Sequence, residues 1–426
     1  MTSSTAIDRL MRQAQAAKAA SRQLAKLTTE VKNQGLLNIA DALSTRQEAI
    51  LAANEQDYAA SKKNGLSEAM LDRLKLDPAR LKAMAADVRH VASLPDPVGE
   101  SFDVRTMPNG LRIGKRRVPL GVLATIYESR PNVTVDISAL CLKSGNAIVL
   151  RGGKEAFNSN RVLATAVRES IADAGMPAEA VQFVESTDRS LINEMLKMRD
   201  VIDLMLPRGG TELIEFIVEN ATMPVLAAGY AVCHTYVDES ADVKMAQEIV
   251  YNAKVRRISI CNALDTLLVH RAVASEALPV IGRALAGAGI ELRCDPKAME
   301  LLRPVVPDNV KPATEGDFGI EFLAPVAAVK VVESLDDALA HIERFGSGHS
   351  EAIVTRDDAS ANRFIDEVDA AAVYVNASTQ FTDGGQFGLG AEVGISTQKF
   401  HARGPMGLRE MTSYKWTIFG DGHVRP

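Results

Sequence analysis

Ala147-Ile-Val-Leu-Arg-Gly-Gly-Lys154 is an apolar run of four residues that stops at an arginine, two glycines and a lysine. A run this short, closed by glycine, reads as a strand buried on both faces. The amphipathic stretch behind it, 159–174, reads as a helix. The same unit recurs on either side. Strands are expected at 118–127, 181–184, 201–206 and 224–226, with helices at 133–143, 188–197 and 211–219. Strands alternating with helices predict a parallel sheet covered on both faces. A second series of apolar runs, at 267–270, 326–331, 352–354 and 372–375, predicts a second α/β unit. Ahead of both, 6–94 is rich in Ala, Leu, Lys and Glu at helical spacing, as in Leu36-Leu37-Asn38-Ile39, and predicts several helices. The Pro- and Gly-interrupted stretch 95–110 reads as a connection.

The chain has 426 residues, 46% hydrophobic and 24% charged, which is enough for two or three domains without covalent staples. Its 48 basic and 54 acidic residues give a net charge of -6. No basic block points to nucleic acid or an anionic membrane, so a small-molecule ligand is expected. Four separated cysteines and seven histidines without ligand spacing support neither a disulfide framework nor a metal site. No apolar run approaches the roughly 18 residues of a membrane span, and the polar, Ala-rich start lacks the pattern of a signal peptide, so a cytoplasmic protein is expected.

Cys261 ends the segment Lys254-Val-Arg-Arg-Ile-Ser-Ile-Cys261. Lys254, Arg256 and Arg257 would favour its thiolate, the form that acts as a nucleophile. A buried structural cysteine is the competing reading, and it suits Cys141 and Cys233, which lie in apolar segments. Leu150-Arg-Gly-Gly-Lys154 and Leu206-Pro-Arg-Gly-Gly-Thr211 each follow a strand and pair a cation with two glycines. Backbone amides there could cradle a phosphate, although either could be only a tight turn. A third glycine-rich loop, 384–390, precedes Glu392 and could border a substrate. A Cys–His hydrolase using His349 or His401, or a non-catalytic binding module, would leave the paired glycine turns without a role.

Several longer phrases, in this order along nearly the whole chain, together resemble the aldehyde dehydrogenase superfamily. They are Arg117-Val-Pro-Leu-Gly-Val, Ile126-Tyr-Glu-Ser-Arg-Pro-Asn-Val-Thr134, Cys141-Leu-Lys-Ser-Gly-Asn, Leu206-Pro-Arg-Gly-Gly, Cys233-His-Thr-Tyr-Val-Asp, Val375-Asn-Ala-Ser and His401-Ala-Arg-Gly-Pro-Met. The closest resemblance is to the branch that reduces γ-glutamyl phosphate in proline biosynthesis. It implies Cys261 as nucleophile and Asn132 as an oxyanion donor. It also implies an NADPH/NADP+ site built from Lys143, Lys154, Gly209, Gly210 and Glu321, with Lys154 suited to the 2′-phosphate. Arg257, Tyr230, Gln380 and Glu392 are the expected substrate contacts. Hydrolytic relatives carry a glutamate that activates water, but the matching segment here is Pro224-Val-Leu-Ala-Ala-Gly229, so a thioester would survive for hydride.

The implied fold is α/β and aldehyde dehydrogenase-like: a Rossmann-type cofactor domain (1–103 and 120–228), an α/β catalytic domain (229–400) and oligomerisation segments (104–119 and 401–426). A homodimer or homotetramer is expected, with functional coupling to the glutamate kinase that supplies the substrate. The chain departs from the family pattern at Tyr230, Ala231, Arg256, Ile258, Gln380 and Arg409. Arg256 stands where Gln is common and Gln380 where Arg is usual. Such changes could redirect the same chemistry to another acyl phosphate or an acyl thioester.

Overall fold

The computed structural model describes residues 4–227 and 229–425, so the outermost ends of the expected domains, and the boundary at 228, lie outside the described residues. The chain divides into two compact units. The first holds Met1–Ala228, Gly388–Gly394 and Met406–Pro426, and the second holds Gly229–Phe387 and Ile395–Pro405. The second unit therefore ends inside the 384–390 loop, and part of the expected tail returns to it.

The first unit opens with five helices, α1 (Ser4–Leu24), α2 (Thr29–Thr45), α3 (Gln47–Lys63), α4 (Glu68–Leu74) and α5 (Pro78–Ser93). Side chains of Thr28, Ser67 and Asp77 cap the starts of α2, α4 and α5 by accepting backbone N–H groups that the helix leaves unpaired. A hairpin follows, β1 (Ser101–Thr106) and β2 (Arg112–Pro119). Next comes the alternating core of β3 (Val122–Tyr127), α6 (Asn132–Lys143), β4 (Ala147–Gly152), α7 (Phe157–Asp173), β5 (Val181–Phe183), α8 (Ser190–Met195), β6 (Leu204–Arg208) and α9 (Thr211–Asn220). The four strands are parallel, in the order β5-β4-β3-β6. Every residue of β3 and β4 is buried, as the unbroken apolar runs require of strands with helices on both faces. The expected strand at 118–127 is in fact two elements. Pro119 closes β2, and Gly121 turns the chain at a φ of 128°, where a Cβ would meet Asp203 Oδ2 at 2.2 Å. The expected strand at 224–226 is reduced to a single bridge between Val225 and Met205.

Segment 104–119 and the tail from Met406 onward find each other in the first unit. The tail strand Thr412–Phe419 pairs antiparallel with β2 over its whole length, giving a three-stranded sheet with β2 in the middle.

The second unit contains β7 (Cys233–Val237), α10 (Val243–Val255), β8 (Leu264–His270), α11 (Arg271–Gly287), β9 (Glu291–Cys294), α12 (Pro296–Leu302), β10 (Val310–Pro312), β11 (Val326–Val332), α13 (Leu335–Phe345), β12 (Ser350–Val354), α14 (Asp358–Glu367) and β13 (Ala372–Val375). Its seven strands are all parallel, in the order β10-β9-β11-β8-β7-β12-β13. One face packs Leu267, Val269 and Val329 against Leu278 and Ile281 of α11. The other packs Tyr236, Leu268 and Ile353 against Ile342 of α13 and Phe364 of α14. Each such buried side chain stabilises the sheet by about 1.5–3 kcal/mol relative to exposure.

Candidate active site

Three connections meet at the carboxyl edge of the first unit's parallel sheet, the edge where α/β sheets bind ligands. Behind β4, Gly153 leads into Lys154, whose side chain is exposed, and Glu155. A Cβ on Gly153 would meet Glu155 Oε1 at 2.1 Å, so a side chain there would have to displace the Glu155 carboxylate. Glu155 Oε1 accepts the Ser129 backbone N–H at 2.6 Å and its hydroxyl at 3.1 Å, holding Ser129 at a φ of 45° that few side chains tolerate. Beneath the turn, Asp57 of α3 accepts from Ser159 N at 2.7 Å and Ser159 Oγ at 2.7 Å, which anchors the start of α7.

Behind β6, Gly209 and Gly210 are exposed and open α9, which has no side-chain cap. Glu128 Oε2 accepts the Gly210 N–H at 3.2 Å, so this amide already receives an anionic oxygen. A Cβ on Gly210 would meet nothing within 4 Å, which leaves open space beside the helix end. The exposed lysine and the open space at the uncapped helix end leave room for a phosphate-bearing dinucleotide, with the Glu128 carboxylate standing where an anionic oxygen would bind.

Asn132 is the first residue of α6 and is half-buried. Its Nδ2 donates to Asp136 Oδ2 at 2.8 Å, one turn further on. That bond fixes which end of the amide faces Asp136. The i, i+4 spacing of Asn132 and Asp136 was visible in the sequence, but nothing local marked the aspartate as a partner.

Burial pushes the Asp136 carboxyl up to about 6 from 3.8, against the opposing Asn132 hydrogen bond. The fold therefore favours the protonated form, and stability is lost as pH rises between about 4 and 6. Asp136→Asn is expected to remove this loss and to stabilise the protein above pH 6 by at most about 3 kcal/mol. Urea titrations of both proteins at pH 4 and pH 7 check it; an equal difference at the two pH values would contradict the account.

The second unit positions Cys261 in a turn between α10 and β8, at the amino edge of its sheet. Cys141, Cys233 and Cys294 are buried, whereas Cys261 is partly exposed. Burial pushes the thiols of Cys141 and Cys233 far up and that of Cys294 up to about 12, so all three stay protonated. The turn is bracketed on both sides. Asn262 Nδ2 donates to the carbonyls of Thr382 at 2.9 Å and Gln380 at 3.3 Å, and its own carbonyl accepts from Thr379 Oγ1 at 2.7 Å. In return, Gln380 Nε2 donates to the carbonyls of Ala253 at 2.8 Å and Arg257 at 3.3 Å. Cys233 Sγ donates to the Cys261 carbonyl at 3.3 Å from below.

Two expected site residues are corrected. Lys143 ends α6 with its side chain fully buried, and its ammonium donates to Ala92 O at 2.8 Å and Asn33 Oδ1 at 2.5 Å. It ties α6 to the helical layer and does not face a cofactor. Gln380 is also buried, and its amide is spent on the nucleophile turn; Arg256 Nη1 donates to its Oε1 at 3.0 Å. The departures at Arg256 and Gln380 thus meet each other, and Gln380 shapes the loop and does not recognise a carboxylate. Among the other expected substrate contacts, Arg257 is exposed, Tyr230 is exposed with its hydroxyl donating to the Gly319 carbonyl, and Glu392 lies in the first unit. Glu321 follows the loop before β11. Burial, aided by the nearby Asp265 charge, pushes its carboxyl up to about 7.

The aldehyde dehydrogenase family model matches residues 2–296 and 282–417. A gamma-glutamyl phosphate reductase of Dehalococcoides mccartyi strain ATCC BAA-2266 is 57% identical over 412 residues, covering 97% of each chain. The chain belongs to the aldehyde dehydrogenase family, in its gamma-glutamyl phosphate reductase branch. A member of that name from Roseiflexus castenholzii is 56% identical, over 96% of this chain and 97% of the relative. The crystal structure of the Thermotoga maritima gamma-glutamyl phosphate reductase superposes with a TM-score of 0.94 at 48% identity, over 98% of this chain and all of that one. The family likeness thus extends to the backbone of both units.

Proposed function

We propose that this oxidoreductase reduces γ-glutamyl 5-phosphate to glutamate 5-semialdehyde with NADPH, releasing phosphate, as a step of proline biosynthesis. The observation that carries the reading is that Cys261 alone among the four cysteines reaches solvent, in a braced turn within a fold shared with gamma-glutamyl phosphate reductases. The Cys261 thiolate attacks the acyl carbon, the carbon–oxygen bond to phosphate breaks, and a thioester remains on the sulfur. Asn132 donates to the oxygen on which charge develops, with Asp136 holding its amide. NADPH, when bound, supplies the hydride that reduces the thioester. The thiohemiacetal then expels the Cys261 thiolate and frees the semialdehyde. Segment 224–229 carries no carboxylate to activate water against the thioester.

NADP(H) preference is assigned to Lys154, whose exposed ammonium suits a 2′-phosphate, with Gly209 and Gly210 on the pyrophosphate and Glu321 on the nicotinamide ribose. Lys154→Glu is expected to shift the kcat/KM ratio of NADPH over NADH by about tenfold or more toward NADH. Arg257, Tyr230 and Glu392 are the proposed substrate contacts. Reduction of another acyl group loses support from Arg256 and Gln380, which are bonded to each other. A cytoplasmic location suits a mechanism that needs a reduced thiol. Tyr414, Trp416, Ile418 and Phe419 leave about half of their surface exposed on the tail strand, which supports assembly into a dimer or tetramer. Coupling to the glutamate kinase that makes the labile substrate belongs to the same proposal. Phosphate-dependent reduction of NADP+ with glutamate semialdehyde and with other small aldehydes tests the function. Glutamate semialdehyde is expected to be turned over fastest, and equal or better turnover of another aldehyde would overturn the substrate.

A further inference from the structure

Lys254 lies in the last turn of α10 and is fully buried. Its ammonium makes no hydrogen bond among the described residues, and its ionic partner, Asp265 Oδ1, is 4.0 Å away. An ammonium is expensive to bury, and this one has no surface to reach. The carboxylate opposite it has two further tasks. Asp265 Oδ2 accepts the Cys233 N–H at 3.4 Å, and Oδ1 accepts the Phe322 N–H at 3.0 Å. Cys233 is the residue whose thiol supports the Cys261 carbonyl, and Phe322 follows Glu321 directly. One buried carboxylate therefore joins the underside of the nucleophile turn to the loop that carries Glu321.

We propose that Lys254 and Asp265 are a positioning pair for the Cys261 chemistry: Asp265 fixes the Cys261 support and the Glu321 loop in one frame, and Lys254 is its counter-ion. The inference rests on Cys261 being the nucleophile. Burial pushes the Asp265 carboxyl up to about 6 and the Lys254 ammonium down, each opposed by the other's charge. Each thus helps to hold the other charged, with the Phe322 and Cys233 N–H groups also favouring the Asp265 carboxylate, so loss of either member alters the field at the cysteines. The titratable or charged groups around this ground include His234, Tyr230, Cys233, Glu321, Glu351, His349, Arg256 and Arg257, and they are unchanged in the variants below.

The test measures kcat and the pH midpoint of iodoacetamide alkylation of Cys261, followed by mass spectrometry of its peptide, in the full chain. Asp265→Asn can accept only one of the two backbone N–H groups, so kcat is expected to fall about tenfold. Its alkylation midpoint is expected to move to lower pH, because a negative charge is gone. Lys254→Met is expected to move it to higher pH. The double variant carries neither charge, so it serves if a single variant does not fold; its kcat stays low while its midpoint returns toward that of the unaltered protein. Opposite shifts support the pair, since damage to folding alone would not give them opposite signs. Midpoints that stay put or move the same way, or a double variant with full kcat, overturn the inference alone when Cys261→Ser is inactive. An active Cys261→Ser overturns the nucleophile reading beneath it.

Discussion

Cys261→Ser is expected to lose at least about a thousandfold in turnover while still binding NADPH. A serine hydroxyl has no accessible anionic form at neutral pH, and the resulting oxygen ester accepts hydride far less readily than a thioester. The turn itself should survive, because it is braced through Asn262, Gln380 and the Cys261 backbone carbonyl. Cys141→Ala and Cys294→Ala serve as controls. Both thiols are buried and kept protonated, so turnover should stay within about twofold provided the proteins fold. Steady-state rates with NADPH quenching as the binding check decide it. Full activity in Cys261→Ser would remove the covalent mechanism.

Asn132→Ala is expected to lower kcat about a hundredfold and to leave KM nearly unchanged, the pattern of an interaction made mainly in the transition state. The bond to Asp136 makes a second comparison informative. Asn132→Asp would set two carboxylates against each other on adjacent turns of α6 and would offer no N–H to an oxyanion, so it should be at least as inactive as the alanine variant. An Asn132→Ala protein whose KM rises while kcat holds would make Asn132 a binding group and leave the oxyanion to other donors.

Much of the fold was legible because parallel sheets announce themselves locally. Ala147–Leu150 is apolar at every position, since both faces are covered, and Val326–Val331 is broken only at the half-buried Lys330. Cys261 stood out in the sequence through the basic residues close to it, and the structure leaves it partly exposed where the other three cysteines are buried. Lys143 and Gln380 were misread because their type fits two roles. A lysine after a helix can meet a phosphate or a carbonyl of a neighbouring helix, and only the packing of α2 and α5 against α6 turned it inward. Asp136 and Glu128 escaped notice because neither belongs to a motif; their partners gave them meaning.

The sequence by itself determined which segments become strands and helices and that they form two α/β units. Those properties depend on side-chain polarity repeated over a few residues, and the chain carries them wherever it lies. Tertiary structure decided how the 104–119 segment pairs with the tail, that Arg256 and Gln380 satisfy each other, and that one buried carboxylate, Asp265, joins Cys233 to Phe322. These contacts join residues 32 to 307 positions apart. Their energy depends on burial and direction, which exist only once the sheets have packed.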